Sequence, residues 1–390
     1  MKKPVYLIDA VRTPIGSYGG SLKGIPVSNL ATIPVKALVT RNNLHPESIQ
    51  AIIMGNVCSA GDVHNPARNV ALNCEFDDDI STYTVNRLCG SGLQAVIHAL
   101  MEIEIDNAQM TIAVGGENMS RFPQIMLNRW GTKYGPVTLI DGTAEILSDP
   151  MDKYPASLLG ENCAREYNIS RESCDHFALE SQQKYAQALA RNAFQKQLVP
   201  VEVGGKVGTF SQDEHPRQTT LEKLATLSPV FSKNGVITAG NASGINDGAA
   251  AVLFSDEESL STSKLEPMAQ VIGYAAAGIN HHLMGYAPTL ATQKLLRKTG
   301  LKISDIDLIE VNEAFAAQVL AVEKGLGWDR SKVNVNGGAI ALGHPLGMSG
   351  VRILTMLAHE LAERKARYGL ATICIGGGMG LSILIENLKR

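Results

Sequence analysis

The sequence predicts an α/β protein made of two related halves, with strands in a covered, mainly parallel or mixed sheet. Three observations lead to this fold class. Apolar runs alternate with helical patterns along the chain, and motifs of the first half return in the same order in the second. The length of 390 residues exceeds what one ordinary core needs, so duplicated domains are expected.

The first half supplies three strand-like runs and two helical ones. VYLI, AIIMGNV and TYTV predict buried strands, the last of them within a strand over Ser81–Val85. ATIPVKALVTRN and SGLQAVIHALMEIEI predict helices between them. After Ser120 the chain turns polar and rich in Pro and Gly, apart from one helix predicted over roughly Arg171–Phe194. Apolar residues keep recurring there, so this stretch is predicted to pack over the core.

The second half repeats the motifs of the first. A strand is predicted over Ala249–Phe254, after which VNRLCGSGLQAV is answered by VNGGAIALGHPLGMSGVRI and IAVGGENMS by ICIGGGMGL. Each half thus has a Val-Asn entry, a glycine-lined turn, a helix and a strand that ends in Gly-Gly. If the halves pair pseudo-symmetrically, their turns meet near one cleft. Cys89, His344 and Cys374 then come together as candidate reactive groups.

Composition and charge exclude several classes of protein. The formal net charge of −3 gives no general electrostatic case for binding nucleic acid or an anionic membrane. The six cysteines show neither CxxC pairing nor metal-ligand spacing with histidine, which favours a reducing compartment. The opening MKKPVYLIDAVRTP reads as a first strand and not as a signal peptide, and no apolar run is long enough to span a membrane. We therefore expect a cytoplasmic protein.

Cys89 stands between a predicted strand and a predicted helix, in a turn that holds Gly90 and Gly92. A cysteine is ordinarily a small buried hydrophobe. A helix N-terminus, however, favours thiolate through its N–H groups and partial positive charge. The two glycines are expected to let a substrate carbonyl approach the backbone. These features favour a nucleophilic thiol.

Three further side chains are candidates around this thiol. His344 lies in the glycine-rich turn GGAIALGHPLGMSG, where Gly343 and Gly347 make crowding unexpected, and it could serve as a base for a thiol. Cys374 ends an apolar strand before GGGMG; it is either a core cysteine or part of an oxyanion-binding turn. Asn312 follows a strand predicted over Asp307–Val311 and could cap a helix, face a cleft or do both.

Two readings of other stretches complete the survey. The run TAGNASGINDGAA before the strand at Ala249 could be a plain turn or a pocket wall. The remaining cysteines have no comparable surroundings and are interpreted as structural: Cys58, Cys74, Cys163 and Cys174.

These stretches together resemble the thiolase family. NRLCGSGLQA, NEAFAAQ, GGAIALGHPLGMSG and CIGGGMG occur in that family's order and spacing, and the resemblance covers essentially the whole chain. It implies two α/β halves in a five-layered αβαβα core with an inserted loop domain. The halves would be residues 1–120, completed by about 242–265, and residues 266–390, with the loop domain at 121–241.

The resemblance also implies a role for each site residue. Cys89 would take the acyl group as a thioester, and His344 would activate it and form one oxyanion hole with a water held by Asn312. Cys374 would be the acid/base for the α-proton, and the N–H groups of Cys89 and Gly376 would form the second oxyanion hole. The residues of the pocket and tunnel for the coenzyme A thioester would be Ser243, Phe231, Arg217 and Met284.

The implied activity is that of an acetyl-CoA C-acetyltransferase, a reversible Claisen condensation of two acetyl-CoA into acetoacetyl-CoA and CoA by a ping-pong mechanism. The alternative is a degradative 3-ketoacyl-CoA thiolase of broader range. YPASLLGENCARE at 154–166 and GYAPTLA at 285–291 depart from the family pattern where the acyl pocket is shaped, while Met284 matches a methionine that narrows the pocket. Acyl-chain preference is therefore the open question.

The resemblance implies no metal or redox cofactor, since coenzyme A enters as part of the substrate. It also implies a homotetramer built as a dimer of dimers, with part of residues 121–143 as a contact. Two rival classes fit less well. A decarboxylating ketoacyl synthase uses one cysteine with two histidines or with His and Asn, whereas this chain has a second cysteine at the strand end. A binding protein that has lost its nucleophile would lack one of Cys89, His344 and Cys374.

Overall fold

The computed structural model describes residues 3–149, 151–230 and 232–389. Its strands, in chain order, are β1 Tyr6–Arg12, β2 Gly16–Ser17, β3 Ala51–Gly55, β4 Ser81–Val85, β5 Met110–Asn118, β6 Gln124–Ile125, β7 Ile140–Asp141, β8 Val201–Gly204, β9 Gly208–Phe210, β10 Asn246–Ser255, β11 Ala269–Gly278, β12 Leu308–Val311, β13 Tyr368–Ile375 and β14 Met379–Asn387. The helices are α1 Val27–Arg41, α2 Pro66–Asn73, α3 Ser91–Glu104, α4 Gly142–Ile146, α5 Ala156–Glu166, α6 Arg171–Ala190, α7 Leu221–Ala225, α8 Glu257–Ser263, α9 Ala287–Thr299, α10 Ala316–Leu326, α11 Ala339–Leu342 and α12 Leu346–Arg364. Short 3₁₀ helices lie at Pro46–Ser48, Met119–Arg121, His281–Tyr286, Ile303–Asp305 and Arg330–Lys332.

One ten-stranded mixed sheet runs through both halves, in the order β12-β13-β14-β11-β1-β10-β5-β3-β4 with β2 beside β10. In the first half β10 lies antiparallel between β1 and β5, and β5, β3 and β4 run parallel. The second half repeats this order: β14 lies antiparallel between β11 and β13, and β13 runs parallel to β12. The halves join where β1 meets β11 at Tyr6↔Gln270 and Leu7↔Ala269. The predicted duplication is therefore visible in the strand order.

The helices form three layers around the two halves of the sheet. Helices α3 and α12 pack on each other and on strands of both halves, so they make the central layer. Helices α1 and α2 cover the outer face of the first half, and α9 and α10 cover that of the second. Strands β5 and β10 are buried along their whole length, as expected of strands covered on both faces. The predicted α/β class, with two related halves in five layers, is confirmed.

Most of the predicted elements occur close to their expected positions. Strand β4 has the predicted bounds. Strand β10 includes the strand predicted at Ala249–Phe254, and β12 begins one residue later than the strand predicted at Asp307–Val311. Helix α6 ends at Ala190, four residues before the predicted Phe194. The chain leaves the helix because Asn192 adopts a left-handed conformation with φ of 58°. Among the described helices none is long and apolar enough to cross a membrane.

Residues 121–241 add to the described part of the large sheet no strand of their own. They carry α4 to α7 and two small antiparallel pairs, β6 with β7 and β8 with β9. The segment is nevertheless tied to the core: Arg12 of β1 donates two hydrogen bonds to Asp213 at 2.7 and 2.9 Å, with both side chains fully buried. This buried pair fixes the inserted segment against the first half.

Candidate active site

The turn between β4 and α3 presents Cys89. Leu88, directly before it, has a φ of 49°, which is unusual for a residue with a side chain. The backbone N–H of Leu88 donates to Asn86 Oδ1 at 3.0 Å, and the Ser91 hydroxyl accepts from the N–H of Arg87 and donates to the carbonyl of Leu88. These hydrogen bonds hold the turn in a conformation that directs the chain away from the strand at Cys89.

Gly90 and Gly92 serve close packing between the halves, and their expected role in letting a substrate carbonyl approach the backbone stays a prediction. A Cβ atom on Gly90 would lie 2.3 Å from Cδ1 of Ile375, the residue after Cys374. A Cβ on Gly92 would lie 2.5 Å from the carbonyl oxygen of Gly347, three residues after His344. Both glycines are therefore needed because the end of β13 and the start of α12, both in the second half, pack directly against the segment that holds Cys89.

The thiol of Cys89 is neutral in the resting protein, contrary to the thiolate expected from its position before a helix. Although the residue keeps partial exposure, burial raises the pKa of Cys89 to about 11. The backbone N–H groups of Gly376 and of Cys89 itself oppose this shift, and the charge of Glu117 adds to it. Desolvation outweighs the helix terminus, so a base must remove the proton when the sulfur reacts.

His344 is held as a neutral imidazole. It follows Gly343, whose φ of 101° is a glycine conformation and whose missing Cβ makes room for the amide of Asn246. His344 Nδ1 lies 2.6 Å from Ser349 Oγ, and that hydroxyl donates to the carbonyl of Pro345 at 2.9 Å. Because the Ser349 hydroxyl gives its hydrogen to that carbonyl, its oxygen must accept from His344. Nδ1 therefore carries the ring proton, and Nε2 is the free base. Burial, together with the charge of Arg352, lowers the pKa of His344 to about 3.

The expectation that glycines keep the histidine turn uncrowded is also wrong. His344 is 5% exposed. A Cβ on Gly347 would lie 2.5 Å from the carbonyl oxygen of Gly116 and 2.7 Å from that of Gly55, both in the sheet of the first half. The glycines are thus required because α12 begins in contact with the ends of β3 and β5. Close packing fixes the imidazole in place.

Asn312 faces His344 and does not cap a helix. Helix α10 begins at Ala316 with Phe315 as its N-cap, so the capping alternative is wrong. The side-chain nitrogen of Asn312 lies 3.5 Å from both ring nitrogens of His344. Its oxygen accepts a hydrogen bond of 3.1 Å from Nη2 of Arg352, which is fully buried. Arg352 therefore orients the amide so that its N–H₂ group points to the imidazole side.

Cys374 is the last residue but one of β13 and is 1% exposed. Burial raises the pKa of Cys374 well above its usual value, and the neighbouring thiols of Cys89 and Cys163 raise it further. Gly376 lies just beyond the strand, where a Cβ would be 3.0 Å from Cδ1 of Leu88. The structure thus brings together Cys89, Cys374 and the N–H of Gly376.

Cys163 was interpreted as structural, but its thiol lies close to Cys374. It belongs to α5 in the inserted segment, and burial raises the pKa of Cys163 to about 11. A Cβ on Gly285, next to Met284, would lie 2.9 Å from its sulfur. The available signal was its place in the YPASLLGENCARE stretch, which departs from the family pattern and lines the pocket side.

Glu117 is a functional residue that the sequence interpretation missed. Its buried carboxylate accepts hydrogen bonds from the backbone N–H groups of Val57, Cys58 and Gly347 at 2.9 to 3.1 Å, and from the Asn56 amide at 2.8 Å. Burial raises the pKa of Glu117 to about 8 in spite of these donors. The carboxylate joins the end of β5 to the start of α12. The signal was a charged residue directly after Gly-Gly in an apolar strand.

Three of the four residues predicted to contact coenzyme A lie in the described part of the chain: Ser243, Arg217 and Met284. Ser243 is half-buried and both its N–H and its hydroxyl donate to the carbonyl of Ala314. Arg217 is exposed and close enough to His215 to lower its pKa, although burial is the larger cause. His215 in turn lies against Gly244, beside Ser243.

Met284 is 4% exposed in the 3₁₀ helix at His281–Tyr286, which packs on α5, α10 and β13. Phe231 lies outside the described residues.

The arrangement offers two thiols, a neutral imidazole with a free Nε2 and backbone N–H groups aimed at one sulfur. Such a set can transfer an acyl group onto Cys89 and stabilise the oxyanion that forms there.

Several known proteins are similar to this chain along nearly its whole length. The family profile "Thiolase, N-terminal domain" matches residues 5–258, and "Thiolase, C-terminal domain" matches residues 265–387. The mitochondrial 3-ketoacyl-CoA thiolase of Rattus norvegicus is 44% identical over 389 residues, which are 98% of each chain. An acetyl-CoA acetyltransferase of Escherichia coli is 46% identical over 396 aligned positions, covering 99% of this chain and 100% of that one. The crystal structure of human mitochondrial 3-ketoacyl-CoA thiolase in complex with CoA superposes with a TM-score of 0.96, at 43% identity, and covers 99% of this chain and 98% of that chain.

Proposed function

Since this chain belongs to the thiolase family of acyltransferases, we propose that it is an acetyl-CoA C-acetyltransferase. It condenses two acetyl-CoA reversibly into acetoacetyl-CoA and CoA. The observation that supports this most is that the Cys89 sulfur has the thiol of Cys374 and the N–H of Gly376 as neighbours. That environment suits a thioester formed on Cys89 beside a second acid or base.

In the first half-reaction the Cys89 sulfur attacks the thioester carbonyl of acetyl-CoA. Its proton passes to Nε2 of His344, which carries a free lone pair because the buried imidazole is neutral. The carbon–sulfur bond to coenzyme A then breaks, and Cys374 gives its proton to the departing thiolate. Cys374 carries the proton for that step because its raised pKa keeps the thiol neutral.

In the second half-reaction the thiolate left on Cys374 removes an α-proton from a second acetyl-CoA. The enolate attacks the acetyl carbonyl on Cys89, a carbon–carbon bond forms, and Cys89 leaves and recovers its proton from His344. The N–H groups of Cys89 and Gly376 stabilise the oxyanion on the acetyl group. His344 with a water held by Asn312 stabilises the enolate oxygen.

Each of these steps moves a proton or an acyl group between groups of the protein and the substrate. We therefore propose that the reaction uses no separate cofactor, with coenzyme A entering as part of the thioester. Ser243, Phe231, Arg217 and Met284 are the proposed contacts for that thioester. The use of thiols as reactive groups also supports a reducing compartment, for which we propose the cytoplasm.

The exposed apolar residues of the inserted segment support the proposed tetramer, a dimer of dimers. Trp130 and Tyr134 are 95% and 98% exposed, and Met126, Leu127 and Leu139 are exposed beside them in sequence. Large apolar side chains gathered on one loop are typical of a contact between protein chains. We propose that this loop, within residues 121–143, makes the contact between dimers.

A mass measurement tests the proposed reaction. Incubation with acetyl-CoA should add one acetyl group to the chain, peptide mapping should place it on Cys89, and added CoA should release it. Acetylation of a different cysteine, or none at all, would contradict the assignment of the nucleophile.

Chain length tests the proposed substrate against the alternative, a degradative 3-ketoacyl-CoA thiolase, which the 44% identity to the rat enzyme supports. Met284 is buried beside the pocket, and extra methylenes against a filled wall cost about 1–3 kcal/mol. We expect thiolysis of acetoacetyl-CoA to exceed that of 3-oxohexadecanoyl-CoA by at least about tenfold in kcat/KM, roughly 1.4 kcal/mol. Equal or greater activity on the long chain would favour the alternative and leave the mechanism unchanged.

A further inference from the structure

Four side chains that the proposed reaction does not use meet where the inserted segment touches the second half. Asp149 and Asp152 come from the inserted segment, and His281 and His282 begin the 3₁₀ helix that carries Met284. His281 Nδ1 lies 3.1 Å from Asp149 Oδ2, and His282 Nε2 lies 2.5 Å from Asp152 Oδ2. The two imidazole centroids are 4.1 Å apart, tilted by 47°.

Asp149 fixes which nitrogen of His281 is free. Its side chain is fully buried; Oδ1 accepts from the backbone N–H groups of Met151 and Asp152 at 2.9 and 3.0 Å, and Oδ2 faces the imidazole. An ionised carboxylate is an acceptor, so His281 Nδ1 must carry the hydrogen. The lone pair is then on Nε2. A buried carboxylate that orients a histidine in this way is the usual outer partner of a metal-binding imidazole.

His281, His282 and Asp152 can each contribute one ligand atom, and these three atoms lie within 4.8 Å of one another. Two imidazole nitrogens and one carboxylate oxygen are a set that Zn²⁺ accepts. Tetrahedral ligands at Zn²⁺ distances are about 3.3 Å apart. His282 Nε2 and Asp152 Oδ2, now 2.5 Å apart, must therefore separate slightly, and any pair near the 4.8 Å limit must move closer together. The three side chains are 33%, 40% and 40% exposed, which leaves them free to rotate and open to an arriving ion.

We propose that His281, His282 and Asp152 bind one Zn²⁺ ion, with Asp149 as the residue that positions His281. The fourth coordination position is left to water. The alternative is two independent histidine–carboxylate hydrogen-bonded pairs. In two independent pairs the ligand atoms need not lie within reach of one another, whereas these three lie within 4.8 Å.

The place of this cluster gives the ion a structural consequence. A Cβ on Gly378 would lie 2.8 Å from Cα of His281, and the N–H of Ile279 donates to the carbonyl of Gly378 at 2.7 Å. The Gly376–Gly378 turn and the inserted segment would therefore be linked through the bound ion. Zn²⁺ is expected to fix the inserted segment against the second half and to raise Tm.

The test uses the full chain after removal of metal by EDTA and dialysis. Isothermal titration with Zn²⁺ should give one ion per chain, and Tm should rise with Zn²⁺ concentration. His281→Ala and His282→Ala should each lose stoichiometric binding. Asp149→Asn should weaken binding by about 10- to 100-fold, because it disturbs the orienting hydrogen bond and removes no ligand.

His176→Ala is the matched control, since His176 is an exposed helix histidine with Glu172 as its neighbour at 3.9 Å, and it should bind as the unaltered chain does. Co²⁺ in place of Zn²⁺ reports the ligands: a spectrum without a thiolate charge-transfer band supports the site. Three results would each overturn the proposal: no stoichiometric binding by the unaltered chain, binding by His281→Ala and His282→Ala that equals that of the unaltered chain, or a thiolate band from a cysteine ligand.

Discussion

The end of strand β5 and the end of strand β13 occupy corresponding places in the two halves but differ in chemistry. Both strands run parallel to their outer neighbour and antiparallel to their inner one, and a Gly-Gly pair lies at or just beyond the end of each. At the end of β5, Glu117 uses its carboxylate to bind backbone N–H groups of both halves. At the end of β13, the neighbours of Cys374 are the thiols of Cys89 and Cys163. One copy of the strand end locks the halves together and the other carries a reactive group.

The two glycine-lined turns show the same division. A residue with positive φ directly precedes the candidate side chain in each half: Leu88, at 49°, before Cys89, and Gly343, at 101°, before His344. Leu88 pays a strain of about 1 kcal/mol for this conformation, whereas glycine does not. The comparison shows that each turn reaches its candidate side chain through a residue of positive φ, although the two φ values differ, and that one turn presents a thiol and the other an imidazole.

The largest effect on activity should come from replacing each of the two thiols, Cys89 and Cys374, by alanine in a separate variant. Cys89→Ala should lower kcat/KM by at least about 10⁴-fold and abolish acetylation, because the nucleophile is gone. Cys374→Ala should still be acetylated at Cys89 but should fail to exchange the α-protons of acetyl-CoA with solvent deuterium. Intact mass and exchange measured by mass spectrometry separate the two half-reactions.

Cys74→Ala is the control for both variants, because Cys74 lies at the end of α2 on the outer face of the first half. It should be acetylated and should exchange as the unaltered chain does. A Cys374→Ala variant that condensed acetyl-CoA at a near-native rate would reduce Cys374 to a structural role and remove the contrast between the two strand ends.

A smaller effect is expected when the base is removed. His344→Ala should slow acetylation of Cys89 by about 10²–10⁴-fold, since a thiol with a pKa of about 11 loses its proton acceptor. Because the pKa of His344 is about 3, the imidazole is neutral from pH 5 to pH 8. The single-turnover acetylation rate of the unaltered chain should therefore show no loss from His344 protonation in that range.

Rapid-quench mass spectrometry from pH 5 to pH 8 measures this rate. His176→Ala, on the exposed side of α6, is the control and should leave the rate unchanged. A rate that fell below an apparent pKa near 6.5, and that lost this dependence in His344→Ala, would show that the imidazole titrates normally in the turn.

Sequence patterns sufficed where the information is local or repeated. The bounds of β4 follow from a short apolar run, and the order of motifs around Cys89, His344 and Cys374 identified the halves that meet. Sequence patterns failed where the role of a residue depends on a contact with a residue far along the chain. Gly92 is small because Gly347 lies against it, and Asn312 binds Arg352 although its position before a helix suggested a cap.

The charge of the site could not be predicted for the same reason. Position before a helix favours a Cys89 thiolate, but the pKa depends on how deeply the second half buries the sulfur. Glu117 was overlooked because its four donors come from two separate segments, residues 56–58 and the start of α12. The charged residue after Gly-Gly was visible in the sequence, but the donors that converge on it were not.

The smallest expected effect concerns Glu117, which has Gly378 as its counterpart in the second half. Glu117→Gln should lower the free energy of unfolding by about 1–3 kcal/mol at pH 6, because the amide places two hydrogens among the four donors where the protonated carboxyl group places one. The folded pKa of about 8 lies above the usual value for glutamate, so the folded state holds the proton more tightly. The stability that this proton contributes is present at low pH and is lost as the pH rises through 8. Glutamine does not titrate, and the difference in the free energy of unfolding between the two proteins should therefore narrow from pH 5 to pH 8.5.

Urea midpoints measured by circular dichroism report this difference, and the exposed Glu172→Gln is the control. A difference that widened with pH would show that the carboxylate is ionised throughout and that its donors outweigh burial.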